Sequence, residues 1–133
     1  MTKAKLGKEV VIRVGNEIGV LAQIAKLIAD KGINILAVSA WTEGSTGIIH
    51  VVTDDNLRAA DALRAQRFNP HEQEVVLLQA PHKPGLMRKI TERLAGEGLD
   101  LHHLYAATED EAGQMLVVFA CSNNERALMH FPI

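Results

Sequence analysis

The sequence holds one cysteine, one tryptophan, one tyrosine and three phenylalanines among 133 residues. The lone Cys121 excludes an internal disulfide, so nothing here requires an oxidising compartment. Its place in an apolar run marks it as a small buried hydrophobe. The shortage of aromatics argues against a platform for stacked bases. Basic blocks are missing too: the densest cationic feature is the scattered set Lys3, Lys5 and Lys8, in a chain of formal net charge −2. A phosphate-backbone partner needs a basic face, so no nucleic acid is expected. No apolar stretch nears the roughly 18 residues of a membrane span, and the N-terminal residues lack the apolar core of a signal peptide. The expectation is a cytoplasmic protein with no membrane contact.

Reactive constellations are equally scarce. The histidines are His50, His71, His82, His102, His103 and His130, and none is paired at a metal-binding spacing with another histidine or a cysteine. His102 and His103 are neighbours on an expected strand, where successive side chains point to opposite faces. Asp54-Asp55 and Glu109-Asp110-Glu111 fall in expected turns, where solvated charge is the ordinary role. No serine or cysteine occupies a nucleophile-like turn beside a base. No catalytic residue, metal or cofactor is therefore assigned, and the chain is not expected to be an enzyme.

What the sequence does contain is order and repetition. It is 47% apolar and 23% charged, a globular composition long enough for one domain or two small ones. Residues 1–8 read as a frayed end, and 9–14, rich in β-branched residues, as a strand. From Gly19 the apolar positions Val20, Leu21, Ile24, Leu27 and Ile28 follow the spacing of one helix face, and Gly32 ends that helix. Strands follow over 33–41 and 47–53, joined by a turn at 42–45. Asp54-Asp55-Asn56 supplies capping chemistry for a helix over 57–66, and 67–71 is a loop. The pattern then restarts: a strand over 75–80, a helix marked by Leu86, Met87, Ile90 and Leu94 and closed by Gly96 and Gly98, a strand over 99–107, a turn at 109–112, a strand over 113–121 and a short helix over 124–131.

The restart is visible residue by residue. At an offset of 66, Val10 meets Val76, Gly19 meets Gly85, Ile24 meets Ile90, Ala29 meets Ala95 and Gly32 meets Gly98. Thr42-Glu43 meets Thr108-Glu109, Gly47 meets Gly113, and Val51-Val52 meets Val117-Val118 at the same offset. The offset then becomes 68, where Asn56-Leu57-Arg58-Ala59 meets Asn124-Glu125-Arg126-Ala127. Each unit is thus β-α-β-β-α, which leads to the split β-α-β, ferredoxin-like arrangement of an α+β protein with its helices on one face of the sheet. That arrangement usually has a fourth strand. Either 67–69 forms a very short one or the units lack it, leaving each first strand at an edge. Edges are normally paired or covered, so the two antiparallel sheets are expected to join edge to edge, with domains at 1–70 and 71–133. In the second strand Ile33, Ile35 and Ala37 are expected on one face and Leu36 and Val38 on the other. With both faces apolar, the face away from the helices is expected to lie against a second copy of the chain.

The residues of each first β-α turn carry a resemblance. Gly15-Asn16-Glu17-Ile18-Gly19-Val20-Leu21, followed by Gly32-Ile33-Asn34-Ile35, resembles the ACT domain family, and the second copy, His82-Lys83-Pro84-Gly85-Leu86-Met87 with Asp100, repeats the pattern. The chain looks like two ACT domains in tandem, over roughly residues 8–131. The first turn departs from the family pattern at Ile18, where proline is usual; the second keeps it as Pro84 but has His82 for Asn16 and Asp100 for Asn34. The resemblance implies an amino-acid-sensing regulatory module whose units pair side by side. Its ligand would lie between the first β-α turn of one unit and the second-strand start of its neighbour. The implied ligand-binding residues are Asn16, Glu17, Ile18, Gly19, Val20, Leu21, Asn34 and Ile35 in the first unit, and His82, Lys83, Gly85, Leu86, Met87, Asp100 and Leu101 in the second.

The residue types suit that task. First-turn amides of a helix have no internal partners and attract a carboxylate. Gly19 lets a ligand approach the backbone. Asn16 and Asn34 each offer a donor and an acceptor, Asp100 suits an ammonium group and Lys83 a carboxylate. The plainer reading makes Asn16 a helix cap and Asn34 a polar strand entry. Trp41, at a strand end, reads as packing. The implied partners are an amino acid or related small metabolite, a homodimer or higher homo-oligomer, and a regulated enzyme or transcription factor. The alternatives are a structural oligomerisation module with a decayed site and a small enzyme on a ferredoxin-like scaffold.

Overall fold

A computed structural model describes residues 3–109 and 113–131. Two compact units divide the chain: the first is Lys8–Gln73, the second Met1–Gly7 together with Glu74–Ile133. The elements run in the order β1 (Lys3–Gly15), α1 (Val20–Ala29), β2 (Ile35–Glu43), β3 (Thr46–Thr53), α2 (Asn56–Ala65), β4 (His71–Pro81), α3 (Leu86–Gly96), β5 (Leu101–Glu109), β6 (Gln114–Cys121) and α4 (Asn124–Leu128). Their order and types agree with the sequence reading, and the antiparallel α+β, ferredoxin-like architecture holds for each unit. Three differences are informative.

The first concerns the ends of the first strands. Residues 3–7 are not frayed: β1 starts at Lys3 and is 13 residues long. β4 likewise starts at His71, ahead of the expected 75. In the first unit the hydrogen-bonded order is β2-β3-β1-β4, closed by residues 71–73 of β4; in the second it is β1-β4-β6-β5, opened by residues 3–7 of β1. Each unit therefore has its fourth strand. It comes from the overlong first strand of the following or preceding unit and not from 67–69.

The second concerns the register of the repeat. β3 pairs with β1 as Val10↔Val51 and Gly15↔Thr46, and β6 pairs with β4 as Val76↔Phe119 and Pro81↔Gln114. The offset thus reaches 68 at the hairpin between the second and third strands, before β6 begins. Gly47 corresponds to Met115 and not to Gly113, and Val51 to Phe119 and not to Val117. The extra length sits in the β5–β6 connection, where the expected turn at 109–112 lies outside the described residues apart from Glu109.

The third concerns faces. β2 has a bulge between Ile35 and Ala37, so Ile35 opposes Thr53, Ala37 opposes Val52 and Val38 opposes Val51. Directly opposed residues share a face, so Ile35 shares the helix-side face with Val38, and Ala37 lies on the other. Strict alternation predicts Ile35 on the same face as Ala37, and the extra residue breaks it. β5 carries the same bulge, between Leu101 and His103, so the expected opposition of His102 and His103 is not the regular strand geometry.

Each unit encloses its own core between its sheet and helices. In the first unit Val10, Ile12, Ile49 and Val51 pack with Ile24 and Ile28 of α1 and Ala59 and Leu63 of α2. In the second, Val76, Leu78, Val117 and Phe119 pack with Ile90 and Leu94 of α3 and Ala127 of α4, joined by Ala4 and Leu6 of β1. Cys121 belongs to this second core, buried as expected. The helix pairs are cross-tied alike. Arg58 of α2 donates to the Lys31 carbonyl at 2.9 Å, and Arg126 of α4 donates to the Glu97 carbonyl. On the helix-free face of β3, Ile48, His50 and Val52 are buried. What stays exposed is β2, where Ile35, Leu36, Val38 and Trp41 are 40–53% accessible.

Candidate functional site

The two β-α turns are built identically. In the first, β1 ends at Gly15, and the Asn16 amide donates to the Ser45 carbonyl at 2.8 Å, tying the turn to the β2–β3 hairpin. Gly19, at φ 86°, then opens α1 in the left-handed region that favours glycine. In the second turn the His82 amide donates to the Gly113 carbonyl at 2.7 Å, and Gly85, at φ 89°, opens α3. A Cβ at either glycine would meet nothing within 4 Å, so the backbone conformation, and not crowding, selects glycine there.

Neither helix has a side-chain cap, so the helix-cap reading of Asn16 fails. The Asn16 side chain makes no hydrogen bond among the described residues, and it is exposed. The Val20 amide is taken by the Glu17 carbonyl at 3.2 Å and the Leu86 amide by the Lys83 carbonyl at 3.1 Å. The next two amides of each helix, those of Leu21 and Ala22 and those of Met87 and Arg88, have no partner among the described residues and form the open positive end of the helix dipole. Around the first turn Ile18 is fully exposed and Leu21 is 44% exposed. Around the second, His82, Lys83 and Pro84 are exposed while Leu86 and Met87 are half-buried. At equivalent places the two turns carry opposite charge, Glu17 against Lys83.

Asn34 and Asp100 lie elsewhere in their units. The Asn34 side-chain amide donates to Asp54 at 3.0 Å, its backbone amide donates to the same carboxylate at 3.1 Å, and the Asp54 amide returns a bond to the Asn34 carbonyl. The Asp100 amide donates to the Ser122 hydroxyl at 3.0 Å, with the Ser122 amide donating back to the Asp100 carbonyl at 2.8 Å. Both are strand-entry clasps. Asn34 spends its side-chain donor on Asp54 and keeps its carbonyl oxygen; Asp100 keeps its whole carboxylate apart from a 3.8 Å approach by His102. Ile35 opposes Thr53 and Gly15 opposes Thr46, which puts Asn16 and Asn34 at opposite ends of one sheet, roughly 23 Å apart at ~3.3 Å per residue. Within one unit they do not meet.

The sequence reading passed over one cluster in the first unit. Glu9 is fully buried on the helix-free face of β1. Its carboxylate accepts from Gln73 at 2.8 Å and lies 3.0 Å from Nδ1 of His50 on β3. Trp41 stacks on His50 with ring centroids 5.2 Å apart, in keeping with a packing role. The signal was slight: Glu9 stands directly before the apolar run Val10-Val11-Ile12. A carboxylate at the head of such a strand reads as solvated until its strand neighbours are known.

This geometry has a family. Residues 8–70 match the ACT domain family, so the first unit is an ACT domain, and the second repeats its elements, core positions and turn. Among solved structures, the chain is similar over 95% of its length to protein BT0572 from Bacteroides thetaiotaomicron, at 25% identity and TM-score 0.87, covering 86% of that chain. It also shares its fold with two proteins described as the regulatory subunit of aspartate kinase. The one from Thermus thermophilus gives 15% identity and TM-score 0.67, over 95% of this chain and 92% of that one. The one from Thermus flavus gives 16% and 0.60, over 96% and 92%. No curated protein matches the chain. None of the helices among the described residues is long and apolar enough to cross a membrane.

Proposed function

We propose that this chain is a regulatory protein without catalytic activity of its own, which binds an amino acid or related small metabolite and passes the signal to a protein partner, an enzyme or a transcription factor. The observation that carries the proposal is the first β-α turn: two unpartnered helix amides beside an unbonded Asn16 side chain, held by a left-handed Gly19 in a matched ACT domain. The amides take the ligand carboxylate, and Asn16 takes part of its polar remainder. Glu17, Ile18, Val20 and Leu21 form the rim. His82, Lys83, Gly85, Leu86 and Met87 do the same in the second turn. The second-strand residues Asn34, Ile35, Asp100 and Leu101 lie at the far end of their own sheets and take no part in the turn site of their own unit. The likeness to folds described as regulatory subunits supports the reading. Exposed apolar residues on β2, an edge strand of its unit, support a homodimer in which that edge is covered.

Ligand binding to the folded state raises its stability by about 2.7 kcal/mol at a hundredfold excess over Kd. Thermal unfolding against each common amino acid therefore tests the proposal, with a raised midpoint expected for at least one. No shift with any of them would favour the rival reading, an oligomerisation module whose turns have lost their ligand.

A further inference from the structure

We draw no further inference here: the strongest candidate, the buried Glu9–His50–Gln73 cluster on the helix-free face of the first unit's sheet, supplies only two metal-type ligands from that unit, fewer than a cation site needs, and nothing within the unit shows what else faces it.

Discussion

Asn56 and Asn124 hold corresponding joints in the two units. The Asn56 side-chain oxygen accepts from the Thr53 amide at 3.0 Å and the Thr53 hydroxyl at 2.7 Å, while its amide donates to the Lys8 carbonyl at 2.7 Å. Asn124 accepts from the Cys121 amide at 2.9 Å and donates to the Glu74 carbonyl at 3.2 Å. One side chain thus fastens the end of the third strand to the first strand just where the helix begins. Asn56→Ala removes three bonds at a part-buried place, and the expected loss is about 2–3 kcal/mol, read from urea unfolding. Arg67 offers the opposite case. α2 ends with Arg67 at φ 68°, and the Phe68 amide returns to the Leu63 carbonyl at 3.1 Å. α1 and α3 end the same way with Gly32 and Gly98 in that conformation. Arg67→Gly relieves the left-handed strain and is expected to raise stability by about 0.5–1 kcal/mol in the same assay. Asn16→Ala addresses function instead. The unfolding free energy without ligand should stay within ~0.5 kcal/mol of the parent, while calorimetric affinity for the amino acid found by screening should fall about tenfold. Unchanged affinity would place the site elsewhere.

At the scale of the element, β1 decides most. Its 13 residues exceed what one unit uses. Its last eight line the first core through Val10 and Ile12, and its first five reach the second through Ala4 and Leu6. Leu6→Ala should therefore destabilise the second unit, by about 1–2 kcal/mol for a half-buried leucine. Amide exchange should accelerate in β4 and β6 and leave β3 protected; the reverse pattern would refute the assignment of residues 3–7. β2 raises a different matter. Its bulge places Ile35 and Val38 on one face, and both remain exposed. If that edge pairs with a second copy, Val38→Lys should shift the sedimentation profile from dimer to monomer without altering the far-ultraviolet circular dichroism. A parent protein that sediments as a monomer would remove the homodimer from the proposal.

At the scale of the whole molecule, the sequence carried the element order, the helix stripes and the repeat, because each rests on local periodicity. Ile24 and Ile28, Ile90 and Leu94 are spaced by the helix itself, and all four are core residues. The two turns were legible for the same reason: Gly19 and Gly85 are needed by backbone conformation within a few residues. What was not legible depends on partners far along the chain. The fourth strand of each unit is borrowed from a strand that also serves the other unit, and no local pattern marks where one strand changes allegiance. The bulges at Leu36 and His102 arise from pairing register, which alternation alone cannot reveal. Glu9 became a buried hydrogen-bond acceptor only once Gln73 and His50 were placed beside it by β4 and β3. The sequence by itself determined the repeated β-α-β-β-α units, their cores and the two glycine-opened turns, since these follow from short-range spacing. Only the tertiary structure decided which strand ends complete which sheet, which faces are buried, and that Asn16 and Asn34 stand at opposite ends of their unit, since these depend on hydrogen-bonded neighbours dozens of residues apart.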